Sequence, residues 1–137
     1  MSAGGTRPAR PFQQRRTATA ADIDELGHVN NAVYVRWIQD IATAHWRAVA
    51  PASAQENHIW VVVRHEIDYR KPTLPGEEVI LSTWVGSPQG ARFDRFVEIT
   101  GPDGDVRVAA RTWWALLDRQ TMRPLRVRGD LVAPFRS

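Results

Sequence analysis

No cysteine occurs in the 137 residues. That excludes a disulfide framework, a thiolate nucleophile and a cysteine-held metal. Lysine is almost missing as well: Lys71 stands alone among seventeen arginines. Those arginines hold the isoelectric point near 10.2, although the formal net charge is only +3. They are spread along the chain, apart from Arg7, Arg10, Arg15 and Arg16 near the start and Arg119, Arg123, Arg126 and Arg128 near the end. A nucleic-acid binder gathers its basic residues on one face or tail. The reading here is a solvated basic surface, with a phosphate-bearing small ligand as the sharper alternative and no nucleic-acid partner. No apolar run approaches the roughly 18 residues that span a bilayer. The first residues, MSAGGTRPARPFQQRR, contain no apolar stretch of the kind a secretory signal needs, so a cytoplasmic location is expected. His28, His45, His58 and His65 show neither His-x-His nor His-Glu-x-x-His spacing, and no metal or other cofactor is expected. There is no glycine-rich phosphate loop and no internal repeat.

What is present suits one globular domain, with 43% hydrophobic and 24% charged residues. Residues 1–11 read as a loose tail and residues 12–137 as a single domain. A weak strand pattern falls within 12–20. From Asn30 the period becomes helical: Val33, Trp37, Ile41 and Ala44 recur on one stripe, with Arg36, Asp40, Thr43 and Arg47 opposite. The spacing predicts a helix over 30–49, capped by Asn30 or Asn31 and stopped before Pro51. Asp40, four residues after Arg36, reads as its surface ion-pair partner. Then the period becomes two. IWVVVRHEIDYRK places Ile59, Val61, Val63, His65, Ile67 and Tyr69 on one face. EEVILSTWVG places Val79, Leu81, Thr83 and Val85 on one face, with Ile80 and Trp84 opposite. After an SPQG turn, ARFDRFVEIT places Phe93, Val97 and Ile99 on one face, and after a GPDGD turn VRVAARTWWALLD places Val106, Val108, Ala110, Thr112, Trp114 and Leu116 on one face. The remaining segment reads as irregular or as one short helical turn. Strands joined by short turns predict an antiparallel sheet, and one long helix must cover one of its faces. The other face is left with Trp60, Trp84 and Trp113, so a partner subunit is expected to cover it, in a homodimer or homotetramer.

The stretch between strand and helix, DIDELGHVNNAVY, spans residues 22–34. It sets carboxylates just ahead of a helix whose first N–H groups lack internal partners and carry the positive end of the dipole. Such N–H groups can donate to a developing oxyanion. A carboxylate close by can attack a carbonyl carbon or take a proton from water, and the residues leave both routes open. Asp24 is the candidate for that role. Asp22 suits local hydrogen bonds that shape the loop, and Glu25 is expected in solvent. Gly27 suits a tight turn or a close approach of ligand. His28 can orient the loop, touch substrate or move a proton. Asn30 and Asn31 are caps first, and Tyr34 packs between helix and sheet.

The order D-x-D-x-x-G-H-V-N-N-x-x-Y over a helix and antiparallel sheet resembles the hot-dog acyl-CoA thioesterases related to 4-hydroxybenzoyl-CoA thioesterase. Asp68-Tyr69-Arg70-Lys71-Pro72 with Pro75-Gly76-Glu77, and Trp113-Trp114 with Leu117-Asp118 and Arg123-Pro124, extend the likeness over about 12–135. The resemblance implies an α+β hot-dog fold, one long helix wrapped by a five-stranded antiparallel sheet. It implies metal-free hydrolysis of a fatty or aromatic acyl-CoA, with acyl carrier protein as an alternative carrier, at sites between subunits. It implies Asp24 as the catalytic carboxylate, the backbone N–H of Asn31 as an oxyanion donor and His28 as a helper. Gly27, Asn30 and Tyr34 are the expected substrate-binding residues, and Arg92 and Arg95, with Arg70 and Lys71, are candidates by their position near strand ends for the phosphates of coenzyme A. A dehydratase of the same fold needs a histidine–acid motif that is missing here. A non-catalytic acyl-thioester binder remains the alternative.

Overall fold

The computed structural model describes residues 6–136. Strand β1 (Phe12–Thr17) leads through a 3-10 turn at Ala20–Asp22 to helix α1 (Asn31–Val49). A short helix α2 (Ala52–Asn57) precedes strands β2 (His58–Tyr69), β3 (Glu78–Gln89), β4 (Arg92–Thr100) and β5 (Val106–Asp118). Helix α3 (Gly129–Val132) and a 3-10 turn at Ala133–Arg136 follow. The strands form one antiparallel sheet in the order β1-β3-β4-β5-β2. This is the expected five-stranded sheet with one long helix across it. Among the described residues no helix is long and apolar enough to cross a membrane.

Helix α1 runs for 19 residues, roughly 28 Å. It buries Val33, Tyr34, Trp37, Ile38, Ile41, Ala42 and His45 against the sheet. Val79 and Leu81 of β3, Val97 and Ile99 of β4 and Val108 and Ala110 of β5 meet it there. The predicted faces of β3, β4 and β5 are those observed.

The face of β2 needs correction, and so does the exposed tryptophan face. Val62 pairs with Trp114 but Arg64 pairs with Trp113, which leaves Val63 as an extra, bulged residue. One extra residue reverses the alternation. Trp60 therefore turns toward the helix, where its ring meets Trp46 at 5.8 Å, while Ile59 and Val61 turn away. His65, Ile67 and Tyr69 keep the predicted face, opposite Thr112, Ala110 and Val108. Trp84 is on the predicted outer face but is only 4% exposed. Its own chain covers it, with Phe96 stacked at 6.0 Å and the Arg7 guanidinium 5.6 Å from its ring centre.

Arg7 also donates to Glu98 at 2.5 Å, so the part of the expected loose tail that is described is tied to the sheet. Residues 1–5 lie outside the described residues. Arg36 and Asp40 do not pair. Arg36 reaches Asp22 at 3.6 Å and Asp40 takes Arg16 of β1 at 3.3 Å, because helix and strand bring those partners closer than the next helical turn does.

Two buried polar groups in this core generate predictions. Tyr34, 3% exposed, donates its hydroxyl to the buried Thr73 Oγ1 at 2.8 Å. Tyr34→Phe should lower urea-measured stability by about 1–2 kcal/mol, because Thr73 is left with an unmet partner. His45 has its pKa lowered to about 3, first by burial and then by Arg95. The unfolded imidazole takes a proton near pH 6.5, so below that pH the unfolded state binds more protons. Stability should therefore fall between about pH 6.5 and pH 3, and His45→Gln should flatten that part of the profile in urea titrations.

Candidate active site

The segment from Asp22 to Asn30 folds into a miniature hairpin. Gly27 N–H donates to Asp24 O at 3.0 Å, Asp24 N–H to His28 O at 3.0 Å, and Asn30 N–H to Asp22 O at 2.9 Å. Ile23 and Val29 form the bridge between its arms. Gly27 has φ +85°, the left-handed region, and a Cβ placed there would touch nothing within 4 Å. The glycine is thus required for backbone conformation, not to clear space for a neighbour.

The hairpin is anchored from below. Val29 N–H donates to Thr73 O at 2.9 Å, and Tyr34 holds the Thr73 side chain. Arg107 of β5 donates to Pro72 O at 2.6 Å and to Glu77 at 3.0 Å, with Asp103 at 3.3 Å. The Arg107 guanidinium holds the Glu77 carboxyl below its usual range, assisted by the Leu74 N–H. Thr73 and Arg107 were not among the residues expected at the site. Nothing in the spacing of Pro72-Thr73-Leu74-Pro75 shows that it lies beneath residue 29. Arg107, one of the arginines read together as a solvated basic surface, is 5% exposed.

On this base the predicted residues separate into two groups. Asp24, Gly27, His28, Asn30, Asn31 and Tyr34 are brought together around the start of α1. Asp24 is half-buried, and its Oδ1 accepts the Leu26 N–H at 2.9 Å, leaving Oδ2 without a protein donor among the described residues. His28 is half-buried opposite it, and Glu25 is exposed as expected. Asp22 Oδ2 accepts the Thr19 N–H and hydroxyl at 2.9 and 3.0 Å, the loop-shaping role expected of it. Asn30 is the N-cap, its Oδ1 accepting Ala32 N–H at 2.8 Å, while its carbonyl takes Val33 N–H. The N–H of Asn31 is left with no acceptor among the described residues, at the exposed positive end of α1. Tyr34 lies just inside, its hydroxyl committed to Thr73.

Arg92 and Arg95 are not in this group. Arg95 bonds His45, which is 14 residues along α1 from Asn31, roughly 21 Å away. It lies buried between helix and sheet at 6% exposure, not at a solvent-facing mouth. Arg92 starts β4 at the same far end. Among the described residues no three His, Asp or Glu side chains form a set that could hold a metal ion.

The hairpin carries one unbonded carboxylate oxygen, and the start of α1 carries one helix N–H without an acceptor among the described residues. Exposed apolar side chains surround it: Leu26 in the hairpin turn, Leu74 beyond Thr73, and Tyr69 beside Tyr34. That combination suits a carbonyl whose oxygen gains negative charge during reaction.

Comparison with known proteins points to one family. An uncharacterized protein of Mycobacterium tuberculosis is 28% identical over 123 residues, covering 89% of this chain and 47% of its own length. The chain thus spans about half the length of that relative. YneP of Bacillus subtilis, whose name carries a provisional acyl-CoA thioesterase assignment, is 24% identical over 111 residues, 79% of this chain and 80% of its own. A thioesterase of Thermus thermophilus, solved with coenzyme A and zinc, superposes with a TM-score of 0.79 at 25% identity, covering 91% of this chain and 97% of that one. Residues 18–135 match the family described as the thioesterase-like superfamily, and with the hairpin, the long helix and four of the five strands inside that span, the chain belongs to it.

Proposed function

We propose that this chain hydrolyses acyl thioesters of coenzyme A to the free acid and CoA, with no metal ion required. What supports the reading is the hairpin of residues 22–30, which carries Asp24 with one carboxylate oxygen unbonded just ahead of α1, together with the N–H of Asn31, which has no acceptor among the described residues. The thioester carbonyl oxygen accepts from Asn31 N–H as negative charge builds on it, and the helix dipole adds to that donor. Oδ2 of Asp24 then acts in one of two ways. It takes a proton from water while the water oxygen bonds to the acyl carbon, the C–S bond breaks and the thiolate leaves with that proton. Alternatively it bonds to the acyl carbon itself, expels the thiolate, and water opens the mixed anhydride. Both routes need the same oxygen. Coenzyme A is preferred to acyl carrier protein as the carrier because the Thermus thermophilus relative is solved with it.

The same reading calls for a second copy of the chain. Strand β2 is one edge of the sheet, 12 residues long, with one side of its backbone facing no other strand among the described residues. A long open edge pairs with another strand unless it is blocked. Two-fold symmetry makes that pairing antiparallel. In full overlap, His58 of one subunit lies against Tyr69 of the partner subunit. The apolar collar of Leu26, Tyr69 and Leu74 around the helix start is then covered.

Asp24→Asn should lower kcat for acyl-CoA hydrolysis by about 10²- to 10⁴-fold, read as thiol release, with folding intact. Asn31→Pro is the cleaner test of the oxyanion donor. Asn31 is the first helical position, where proline is tolerated, and Asn30 at φ −65° and ψ 140° already suits a following proline. It removes one N–H and should cost about 10²- to 10³-fold in kcat with stability unchanged. A wild type inert on short, long and aromatic acyl-CoAs would reject the reading. Light scattering on the 15.5 kDa chain should give twice that mass. Val63→Lys, at the exposed bulge of the edge, should shift it to monomer and remove activity.

A further inference from the structure

The far end of α1 holds polar chemistry that the site above does not use. A cavity of about 230 Å³ opens there between the helix and the sheet. Its wall carries the rings of Trp46, Trp60, Phe93, Trp114 and Phe135 with the buried Arg95 among them, and Arg47, Gln55 and Arg119 share the lining. Arg95 differs from the other buried arginine. Arg107 is met by two carboxylates, whereas Arg95 has no acidic partner among the described residues. Its Nη1 donates to His45 Nδ1 at 2.9 Å and to Thr83 Oγ1 at 3.0 Å. Both acceptors are uncharged, since His45 stays neutral to about pH 3. Its Nε and Nη2 donate to no atom of the described residues, and Arg95 is part of the cavity lining. Asp94 reaches the rim, but its carboxylate is held on the outer face by Arg111 at 2.9 Å and Ser87 N–H at 2.7 Å. Trp60 Nε1, on the same wall, is a buried donor without an acceptor.

A guanidinium is always charged and presents a fork of donors shaped for a carboxylate. Buried without a counter-charge it is costly, and an incoming anion offsets that cost. The cavity is smaller than the roughly 300 Å³ at which small-molecule pockets usually begin, which suits one ring or a short chain and excludes a long fatty tail. His58 and Ile59 on its lining open β2. Antiparallel pairing of the β2 edges sets them against Tyr69 of the partner subunit, beside that subunit's helix start. A thioester held at one helix start therefore sends its acyl group toward the other subunit's cavity.

We propose that this cavity receives the acyl group and that Arg95 selects acyl groups whose far end carries a carboxylate. The inference rests on the thioesterase reading above. Its test begins with binding, which needs no turnover. Three of the wall residues are tryptophans, so their fluorescence reports occupancy. Benzoate should quench it saturably, and the neutral isostere benzamide should bind at least about tenfold more weakly. Arg95→Met should remove the benzoate response with an unchanged circular dichroism spectrum, and Asp24→Asn should keep it. Equal binding of benzoate and benzamide, or undiminished benzoate binding by folded Arg95→Met, would overturn the proposal. If Arg95→Met does not fold, Arg95→Lys, which keeps the charge and loses the fork, should weaken benzoate binding at least about tenfold, and unchanged binding would count against the fork. In turnover, the wild type should prefer 4-carboxybenzoyl-CoA to benzoyl-CoA by about a hundredfold or more in kcat/KM, and the Met variant should lose that preference. Hydrolysis without the preference sinks this inference and leaves the thioesterase reading intact. Arg95-dependent benzoate binding with no hydrolysis of any acyl-CoA does the reverse.

Discussion

The buried residue Thr73 is the point on which the candidate site turns. Its carbonyl holds Val29, its hydroxyl holds Tyr34, and the carbonyl just before it is held by Arg107. Thr73 is fully buried, so each of these groups would otherwise lack a partner out of reach of water. The knot ties three distant stretches of chain: the hairpin, the first turn of α1 and the crossover into β3. Without it the hairpin is a short surface loop with one positive-φ glycine. With it, the carboxylate of Asp24 and the free N–H of Asn31 share a rigid base. Preorganised donors of this kind stabilise developing charge without rearranging at the moment of reaction.

The scarcity of lysine finds its reason on the sheet's outer face. Arg7 lies over Trp84, Trp84 stacks on Phe96, Arg111 lies over both Phe96 and Trp113, and Arg64 covers Trp113 from the other side. Flat guanidinium groups can stack on rings while their edges bond Asp94 and Glu98; an ammonium cannot do both. The arginines that looked like a diffuse basic surface therefore serve partly as a lid. They do for this face what a partner subunit was expected to do. The open backbone of β2, and not an uncovered tryptophan face, is the feature that asks for a second copy.

The two ends of α1 have opposite characters. The start presents a positive dipole to solvent and a carboxylate to one side. The other end closes over a buried cation that has only neutral partners. A single subunit keeps these ends roughly 21 Å apart along the helix axis. A two-fold pairing of β2 edges would set each start against the other subunit's far end, uniting the carbonyl chemistry with the cavity. That geometry makes the proposed selectivity a property of the pair of chains.

Much of this was legible in order and spacing. The period change at Asn30 marked the helix, and the alternation in β3, β4 and β5 marked their buried faces, because both signals are local and repeat with the pitch of the backbone. The cluster of acid, glycine and asparagines marked the turn and the cap at the helix start, since caps and turns are also local. What was not legible was set by contacts between distant residues. The bulge at Val63 reversed the face of Trp60, and one inserted residue leaves no trace in composition. Thr73 and Arg107 became supports only when β5 and the segment before β3 met below residue 29. Arg95 became a buried cation only when α1 lay over β4. By itself the sequence determined the long helix, the strands and where the candidate loop begins, because neighbouring residues carry that information, while the short helix α2 left no such signal. Only the tertiary structure decided which charges are buried, which groups are left unpartnered and which of them meet, because burial and pairing depend on residues that the chain brings together from far apart.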